Sequence, residues 1–236
     1  MDLTGRKALV TGAGRRLGRA FAEGLLSRGA SVAIHFHDSR GGAEEAASRS
    51  PERSAALQAD LSRPEEADRL VPRAAEALGG LDILVNNAGI FEPAGIQDTE
   101  LDAWTRHLAV NLTAPFLLCR SFARVRSGPG AVVNILDWRA TRPTAREFAY
   151  SVSKAGLAAM TRSLAAALAP DVRVNGLALG AILPPAGGVE PGILDRVPLG
   201  RTGTVDECVE ALLFLIAGPA YVTGEILYLD GGRHLT

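Results

Sequence analysis

The sequence lacks several features that would indicate a specialised class of protein. There are only two cysteines among 236 residues, Cys119 and Cys208, and both lie in apolar segments of helical spacing, where a free thiol is usually a small core residue. The formal net charge of −1 gives no basic surface for nucleic acid. No apolar run is long enough for a membrane span or a signal peptide. We therefore expect a soluble, cytoplasmic protein with no metal, membrane or nucleic-acid partner.

Apolar runs alternate along the chain with segments of helical spacing. Seven runs, each bounded by Gly, Asn or Asp, read KALVTG, SVAIHF, AALQAD, DILVNNAG, AVVNIL, VRVNGLA and EILYLDGG. Runs that are apolar at consecutive positions are typical of strands covered on both faces. The alternation predicts an α/β fold, a Rossmann-type doubly wound parallel sheet of about seven strands with helices on both faces. No linker divides the chain, so a single domain over residues 1–236 is favoured over two small ones.

The least regular segment covers residues 179–204 and reads LGAILPPAGGVEPGILDRVPLGRTGT. Its glycines and prolines break any helix. We interpret it as a mobile substrate loop over a ligand site, and a disordered surface loop is the alternative.

A glycine-rich turn joins the first predicted strand to the first predicted helix, in VTGAGRRLGRAFAEGLL. Gly12, Gly14 and Gly18 allow a sharp turn and a close approach to a pyrophosphate, which the free N–H groups of the helix start would face. The turn therefore predicts a nucleotide site, and a tight strand-to-helix turn without a ligand is the alternative. Its spacing is T-G-x-x-x-R-x-G, with Arg16 where small-residue versions of the turn carry glycine.

Tyr150 and Lys154 are four residues apart, so on a helix their side chains share one face. A free phenol has a pKa near 10, and an adjacent ammonium together with a bound nucleotide cofactor would favour the phenolate. The pair therefore predicts a tunable acid and base. Lys154 is one of only two lysines, beside Lys7, in a chain that otherwise uses arginine. An ordinary surface lysine is the alternative.

These motifs, in this order, resemble the short-chain dehydrogenase/reductase family over nearly the whole chain. NNAG at Asn86–Gly89, Asn111 in NLTAPF and the last strand YLDGG complete the likeness. The resemblance implies an oxidoreductase, a homotetramer, and catalytic roles for Asn111, Tyr150 and Lys154. It implies cofactor contacts from Gly12, Gly14, Arg15, Arg16, Leu17, Gly18, His37, Ser39, Arg40, Asp60, Leu61, Asn87, Ala88, Gly89, Tyr150, Lys154, Gly180 and Ile182.

The end of the second strand bears on the choice of cofactor. NAD-preferring members of the family place an acidic residue there, and this chain has Phe36 at that place with Asp38 two residues later. His37, Ser39 and Arg40, together with Arg15, offer donors for a 2′-phosphate, so we expect NADPH, while Asp38 is the argument for NADH. Asp60 resembles the family residue that accepts from the adenine amine, and it could also cap the following helix.

An aspartate stands thirteen residues before Tyr150, where the family normally has a serine that hydrogen-bonds a carbonyl oxygen. Asp137 there indicates either an inactive relative or a substrate that is not a ketone. A carboxyl group offers a negative charge or, with its pKa raised in an apolar setting, a proton donor. Either suits reduction of a cyclic C=N bond, where hydride adds to carbon and a proton to nitrogen. A turn residue that caps the loop DWRATRP is the alternative.

Arg16, Phe91 and Asp137 together resemble the pteridine reductase and dihydromonapterin reductase branch of the family. The resemblance implies that Arg16, Phe91, Asp137 and Tyr150 bind the substrate, with the Phe91 ring covering a flat bicycle opposite the nicotinamide. It implies NADPH-dependent reduction of a dihydropterin such as dihydromonapterin or dihydrobiopterin, or of dihydrofolate. A carbonyl reductase or alcohol dehydrogenase, and a non-catalytic dinucleotide-binding regulator, are the alternatives.

The chain departs from that branch at some positions. Gly89 stands where pteridine reductases often carry serine, and Leu179 where the family commonly has proline. Arg233 and His234 near the end of the chain could reach a neighbouring subunit's site or belong to a frayed tail.

Overall fold

The computed structural model describes residues 2–183, 192 and 194–236. Within these residues seven strands alternate with helices. The strands are β1 (Lys7–Val10), β2 (Ser31–Phe36), β3 (Ser54–Gln58), β4 (Ile83–Asn86), β5 (Gly130–Asp137), β6 (Val172–Leu179) and β7 (Ile226–Leu229). The helices are α1 (Arg16–Ser27), α2 (Arg40–Ser48), α3 (Pro64–Leu78), α4 (Leu101–Leu108), α5 (Ala114–Val125), α6 (Phe148–Leu168) and α7 (Val205–Ala217). A π-helical turn (Ala109–Thr113) joins α4 to α5, and short 3₁₀ turns cover Trp138–Ala140, Leu194–Arg196 and Arg233–Leu235.

The strands form one parallel sheet in the order β3-β2-β1-β4-β5-β6-β7. The chain builds outward from β1 to β3 and then returns to place β4 on the other side of β1. In a doubly wound sheet, the crevice at such a reversal, beyond the carboxyl ends of the strands, is where ligands bind. The predicted fold class is confirmed, and β1 and β4 mark the crevice.

Both faces of the sheet are covered, which explains why its strands are apolar at consecutive positions. In β1, Ala8 and Val10 belong to one buried cluster while Leu9 belongs to the other. Side chains alternate between the faces of a strand, so a strand buried on both faces needs apolar residues throughout. Cys208 and Cys119 lie one in each cluster as buried free thiols, as expected.

The predicted substrate loop is only partly described. Leu179 is the last residue of β6, and Thr204 caps α7 by accepting a hydrogen bond from the Glu207 N–H. Residues 184–191 and 193 lie outside the described residues, so the role of the loop stays a prediction. In the part of the chain that the structure describes, no helix is long and apolar enough to cross a membrane.

Candidate active site

The glycine-rich turn is tied to the segment that follows β4. Thr11 Oγ1 accepts hydrogen bonds from the N–H groups of Asn87 (2.9 Å) and Ala88 (3.0 Å), and Asn87 Nδ2 donates to Thr11 O at 2.8 Å. A Cβ atom on Gly18 would lie 2.2 Å from Gly12 O, so only glycine fits there. These contacts hold the predicted nucleotide turn against NNAG. A ligand that enters the crevice would therefore contact both the turn and NNAG.

A cavity of about 710 Å³ lies where the carboxyl ends of the strands meet. It collects most of the residues that the sequence predicts for the site: Gly12, Arg15, Arg16, Leu17, Gly18, His37, Ser39, Asp60, Leu61, Asn87, Ala88, Gly89, Phe91, Asp137, Tyr150, Lys154, Gly180 and Ile182. Asp38 also lines it. The structure therefore brings together in one cavity residues at the carboxyl ends of six strands, β1 to β6.

Three predicted residues do not line this cavity. Gly14 packs against Ser39, whose Oγ would lie 2.2 Å from a Cβ at residue 14. Arg40 donates to Glu44 (3.1 Å) and Gln58 (2.9 Å), and its guanidinium lies 5.4 Å from the centre of the Phe36 ring. The role of Arg40 at a 2′-phosphate stays a prediction.

Asn111 is the third predicted residue that does not line the cavity, and it supports the cavity wall from behind. It lies in the π-helical turn, where its Oδ1 accepts from the Ile90 N–H at 2.9 Å and its Nδ2 donates to Ile90 O (3.0 Å) and Ser153 Oγ (3.1 Å). A Cβ on Gly89 would lie 3.2 Å from Asn111 Oδ1 and 3.7 Å from Lys154 Nζ. A side chain at position 89 would crowd Asn111, which explains why glycine suits this position.

Asp60 has a local role besides its place on the cavity wall. Its Oδ1 accepts from the backbone N–H of Ser62 at 2.9 Å and from the Ser62 hydroxyl at 2.7 Å. The residue that caps α3 is Arg63, so Asp60 holds the turn before the helix rather than the helix start itself. Its Oδ2 lies 4.0 Å from His37 Nε2.

A buried histidine that the sequence analysis did not single out lies under the glycine-rich turn. His35 Nδ1 accepts from the Gly12 N–H at 3.0 Å, and its Nε2 lies 3.1 Å from Ala59 O. Burial lowers the pKa of His35 to about 4, so the ring is neutral and Nε2 carries its proton. A histidine in an apolar strand shows no partner in the sequence, because Gly12 and Ala59 are reached only across the sheet.

Tyr150 and Lys154 lie on one face of α6, as predicted, and both are buried. The Tyr150 hydroxyl donates to Asp137 Oδ2 at 3.3 Å, and Lys154 Nζ donates to Ile135 O at 2.8 Å. Burial lowers the pKa of Lys154 to about 8. Burial first, and then the charge of Asp137, raise the pKa of Tyr150 well above its ordinary value. The residues of the chain therefore shift the phenol pKa in the direction opposite to our expectation.

Asp137 is held in an ion pair, not in the apolar setting that a neutral carboxyl would require. Its Oδ1 accepts from the backbone N–H of Arg139 at 2.8 Å, which is the turn contact that the sequence left open as an alternative. The Arg139 guanidinium donates to Oδ1 (3.2 Å) and Oδ2 (3.3 Å) of the same carboxylate. Asp137 thus stabilises the turn after β5 through Oδ1 and accepts from Tyr150 through Oδ2.

Comparison with known proteins agrees with this geometry. Residues 12–234 match the model of a family described as enoyl-(acyl carrier protein) reductase. The chain belongs to the short-chain dehydrogenase/reductase family.

The similar proteins are named for different activities. The chain is 34% identical to a 3-oxoacyl-[acyl-carrier-protein] reductase of Vibrio cholerae serotype O1, with 100% of both chains covered. It is similar to the FolM alternative dihydrofolate reductase 1 from Brucella canis complexed with NADP (TM-score 0.92, 34% identity, 99% of this chain and 96% of that chain). It is also similar to a blue fluorescent protein from a metagenomic library in complex with NADPH (TM-score 0.93, 31% identity, 99% of each chain).

Within this short-chain dehydrogenase/reductase fold, aromatic and cationic side chains form the wall beside Asp137. The Phe91 ring is half exposed and meets Tyr150 edge to face, with ring centres 4.8 Å apart. Trp138 is buried, and the guanidinium groups of Arg139 and Arg233 lie 4.8 Å and 4.7 Å from the centre of its ring. Phe91 thus has the exposed aromatic surface that the sequence predicts for it.

The end of the chain belongs to this wall, so the alternative of a frayed tail is wrong. Arg233 is buried and lines the cavity of its own chain. His234 stacks on Tyr228 with ring centres 4.1 Å apart, and its Nδ1 lies 2.8 Å from Asp230 Oδ2. No local pattern in the sequence indicates the contact between Arg233 and Trp138, because almost a hundred residues separate them.

Proposed function

We propose that the chain catalyses NADPH-dependent reduction of a pteridine ring, taking a dihydropterin or dihydrofolate to the tetrahydro form. The observation that carries the proposal is the hydrogen bond from Tyr150 to Asp137, at the place where the family's serine would contact a ketone. A carboxyl group there suits a ring nitrogen, which must gain a proton when its C=N bond is reduced. The Brucella canis neighbour, named as an alternative dihydrofolate reductase, favours the same chemistry.

The residues of the cavity fit a dinucleotide. Gly12 and Gly18 let the turn pack tightly against NNAG, since a Cβ at either would meet the turn or NNAG. The backbone N–H groups at the start of α1 would then bind a pyrophosphate. Arg15, His37 and Ser39 line the cavity beside the end of β2, where they would hold a 2′-phosphate. Two structural neighbours hold NADP or NADPH, in agreement with the expected cofactor. When bound, NADPH supplies the hydride.

The remaining residues would bind the pterin and manage its proton. Phe91 offers the face of its ring and Arg16 a planar donor group. Tyr150 gives a proton to the ring nitrogen directly or through water. The Asp137 carboxylate orients the phenol and relays a proton from solvent to it. Lys154 holds the ribose hydroxyls and biases the phenol, while Asn111 keeps the segment after NNAG in place. Each turnover consumes NADPH and one proton and yields NADP⁺ and the tetrahydropterin.

A carbonyl reductase or alcohol dehydrogenase is the second candidate, favoured by the 3-oxoacyl reductase among the relatives. In that case Asp137 is a tolerated replacement of serine. A non-catalytic dinucleotide-binding regulator is disfavoured, because Tyr150 and Lys154 are intact and share the cavity.

A steady-state assay of NADPH oxidation tests the proposal. Dihydrobiopterin, dihydromonapterin and dihydrofolate are compared with a 3-oxoacyl thioester and, in the reverse direction, with simple alcohols. We expect turnover of at least one pterin substrate. No turnover of any pterin beside rapid oxidation of an alcohol would overturn the proposal, and tight NADPH binding without any turnover would favour the regulator. A crystal soaked with a pterin should show the ring between the nicotinamide and Phe91.

The assembly and location also stay proposals. We propose a homotetramer in the cytoplasm, and exposed apolar side chains on two helices, Phe116 of α5 and Val152 of α6, support interfaces there. Sedimentation of the purified protein would measure the number of subunits.

A further inference from the structure

We propose that Arg139 is a positioning residue that fixes the Asp137 carboxylate against Tyr150 and balances the negative charge facing the phenol. The inference deepens the proposed function and rests on one part of it, that Tyr150 and Asp137 handle the proton. It does not depend on whether the acceptor is a pterin or a ketone. The position of Asp137 follows from the family's spacing before Tyr150, whereas the role of Arg139 comes from the contacts of this chain.

Arg139 holds the carboxylate of Asp137 with two different groups. Its backbone N–H donates to Oδ1 at 2.8 Å, and its Nη1 lies 3.2 Å from Oδ1 and 3.3 Å from Oδ2. Oδ2 is also the oxygen that accepts from the Tyr150 hydroxyl at 3.3 Å. With both oxygens held, the carboxylate cannot rotate without breaking a charge-assisted hydrogen bond.

The Arg139 side chain is itself held in place. Its guanidinium lies 4.8 Å from the centre of the Trp138 ring and 5.6 Å from that of Phe91, distances typical of cation–π contacts. Its Nε lies 3.6 Å from Glu147 Oε2, an ion pair between two mostly buried side chains. Arg139 thus joins the end of β5, the start of α6 and the aromatic wall.

The charges that face Tyr150 come from several elements. Asp137 at the end of β5 and Glu147 at the start of α6 raise the pKa of the phenol, and Arg139 lowers it. Lys154 Nζ donates to Ile135 O. The same nitrogen lies 5.9 Å from the centre of the Tyr150 ring.

His107 of α4 also faces the phenol, with its ring centre 6.4 Å from that of Tyr150. It accepts from the Glu92 N–H and lies 2.8 Å from Ala103 O, so both of its nitrogens are engaged. Without Arg139, two carboxylates would face the phenol with no guanidinium between them, and transfer of the phenol proton would become less favourable.

Kinetics of Arg139→Gln test the inference. Arg139→Lys is the conservative variant. Arg142→Gln is the matched control, because Arg142 is exposed in the same loop and donates to the backbone oxygen of His234. We measure kcat and KM against pH with whichever acceptor the protein reduces, a dihydropterin or a 3-oxoacyl thioester. We expect Arg139→Gln to lower kcat about 10- to 100-fold, to leave the KM for NADPH unchanged within about twofold, and to move the alkaline limb up by about one pH unit. Arg139→Lys should restore part of kcat.

A pH profile of Arg139→Gln that overlaps that of Arg142→Gln would overturn the inference.

A second measurement needs no turnover, so it separates this inference from the proposed function. The chain has three tyrosines, and nuclear magnetic resonance of isotope-labelled tyrosine ring carbons resolves them once Tyr150→Phe assigns the signal of Tyr150.

Arg139→Gln should shift the Tyr150 signal and leave that of the exposed Tyr221 in place. Glu147→Gln removes one of the two carboxylates and should shift the Tyr150 signal in the opposite direction, which keeps a test available if Arg139→Gln does not fold. A Tyr150 signal that stays at the wild-type position in both variants would overturn the inference, even in a protein that reduces pterins. A shifted signal in a protein that reduces no pterin would overturn only the proposed substrate.

Discussion

The Tyr150 hydroxyl, in the first turn of α6, donates a hydrogen bond to Oδ2 of Asp137, the last residue of β5, with 3.3 Å between the two oxygens. The twelve residues between them pass through a 3₁₀ turn and a loop, so a strand end and a helix start bring the two oxygens together. A serine at position 137 could offer a neutral hydroxyl to a ketone, whereas the carboxylate accepts from the phenol and competes for its proton.

Asp137→Ser should separate the two candidate enzymes. If the substrate is a pterin, we expect kcat for it to fall about 10²- to 10⁴-fold, the usual contribution of a positioned acid or base. Reduction of a ketone should be preserved or improved, since serine restores the family's usual donor. Asp137→Asn is the control that keeps the shape and removes the charge. Equal loss of both activities in Asp137→Ser would contradict this assignment.

Lys154→Met should stabilise the fold near neutral pH while removing activity. Lys154 has a pKa of about 8 in the fold against 10.5 when solvated, so the buried charge destabilises the folded chain below about pH 8. Between about pH 8 and 10.5 the unfolded chain binds the proton that the folded chain has lost, and stability rises with pH across that window. We expect Lys154→Met to gain about 1 to 3 kcal/mol at pH 7 and to lose this rise.

Denaturant unfolding at several pH values measures the effect of Lys154→Met. Lys7→Met removes the other lysine, which donates to Gly79 O from the first residue of β1, and should keep the wild-type rise. Unfolding curves of Lys154→Met that depend on pH as the wild type does would refute the prediction.

His35 should make the fold sensitive to mild acid. Its pKa is about 4 in the fold and 6.5 when solvated, so the unfolded chain gains a proton first as the pH falls. Stability that is present above about pH 6.5 is lost towards pH 4, by at most about 3 kcal/mol from this group. Protonation of Nδ1 would also break the hydrogen bond from Gly12 and loosen the nucleotide turn.

The test compares His35→Gln with the wild type from pH 7 to pH 4. We expect the variant to be less stable at pH 7 by about 1 kcal/mol and the difference to shrink as the pH falls. His37→Gln changes an exposed neighbouring histidine and should follow the wild type. A constant difference between His35→Gln and the wild type at every pH would exclude the role of His35.

Arg16→Gly should weaken pterin binding without weakening cofactor binding. Arg16 has φ of 52°, a left-handed conformation that costs an L-residue about 1 to 2 kcal/mol and glycine nothing. The turn therefore keeps its shape in the variant, and the guanidinium alone is lost. We expect the KM for the pterin to rise about tenfold and the KM for NADPH to change by less than about threefold.

Arg15→Gln is the matched variant for Arg16→Gly and should show the reverse pattern, because Arg15 lies on the side of the proposed 2′-phosphate. Steady-state kinetics with each substrate varied in turn distinguishes the two. A rise in the KM for NADPH in Arg16→Gly, with no change for the pterin, would place Arg16 at the cofactor instead.

The sequence allowed much of the site to be predicted where the signal is local. The turn around Gly12 and Gly18 was found because glycine spacing reflects the backbone path. Tyr150 and Lys154 were placed on one face because four residues make about one helical turn. Asp137 was recognised because it lies thirteen positions before Tyr150, where the family usually has serine.

Other features could not be found in that way. Arg40 has the right charge beside the end of β2, yet Gln58 of β3 and Glu44 of α2 bind its guanidinium. The Tyr150 phenol was expected to become more acidic beside Lys154, and burial together with Asp137 has the opposite effect. Both depend on which distant groups surround a side chain.

The sequence by itself determined the parallel sheet, the order of its motifs and the residue types at its crevice, because hydrophobic periodicity and turn chemistry act between near neighbours. Only the tertiary structure decided that Arg139 holds Asp137, that His35 supports Gly12, and that Arg233 returns from the end of the chain to Trp138. Such contacts depend on the packing of elements distant in sequence, where burial and the nearest charge set the protonation and orientation of each group.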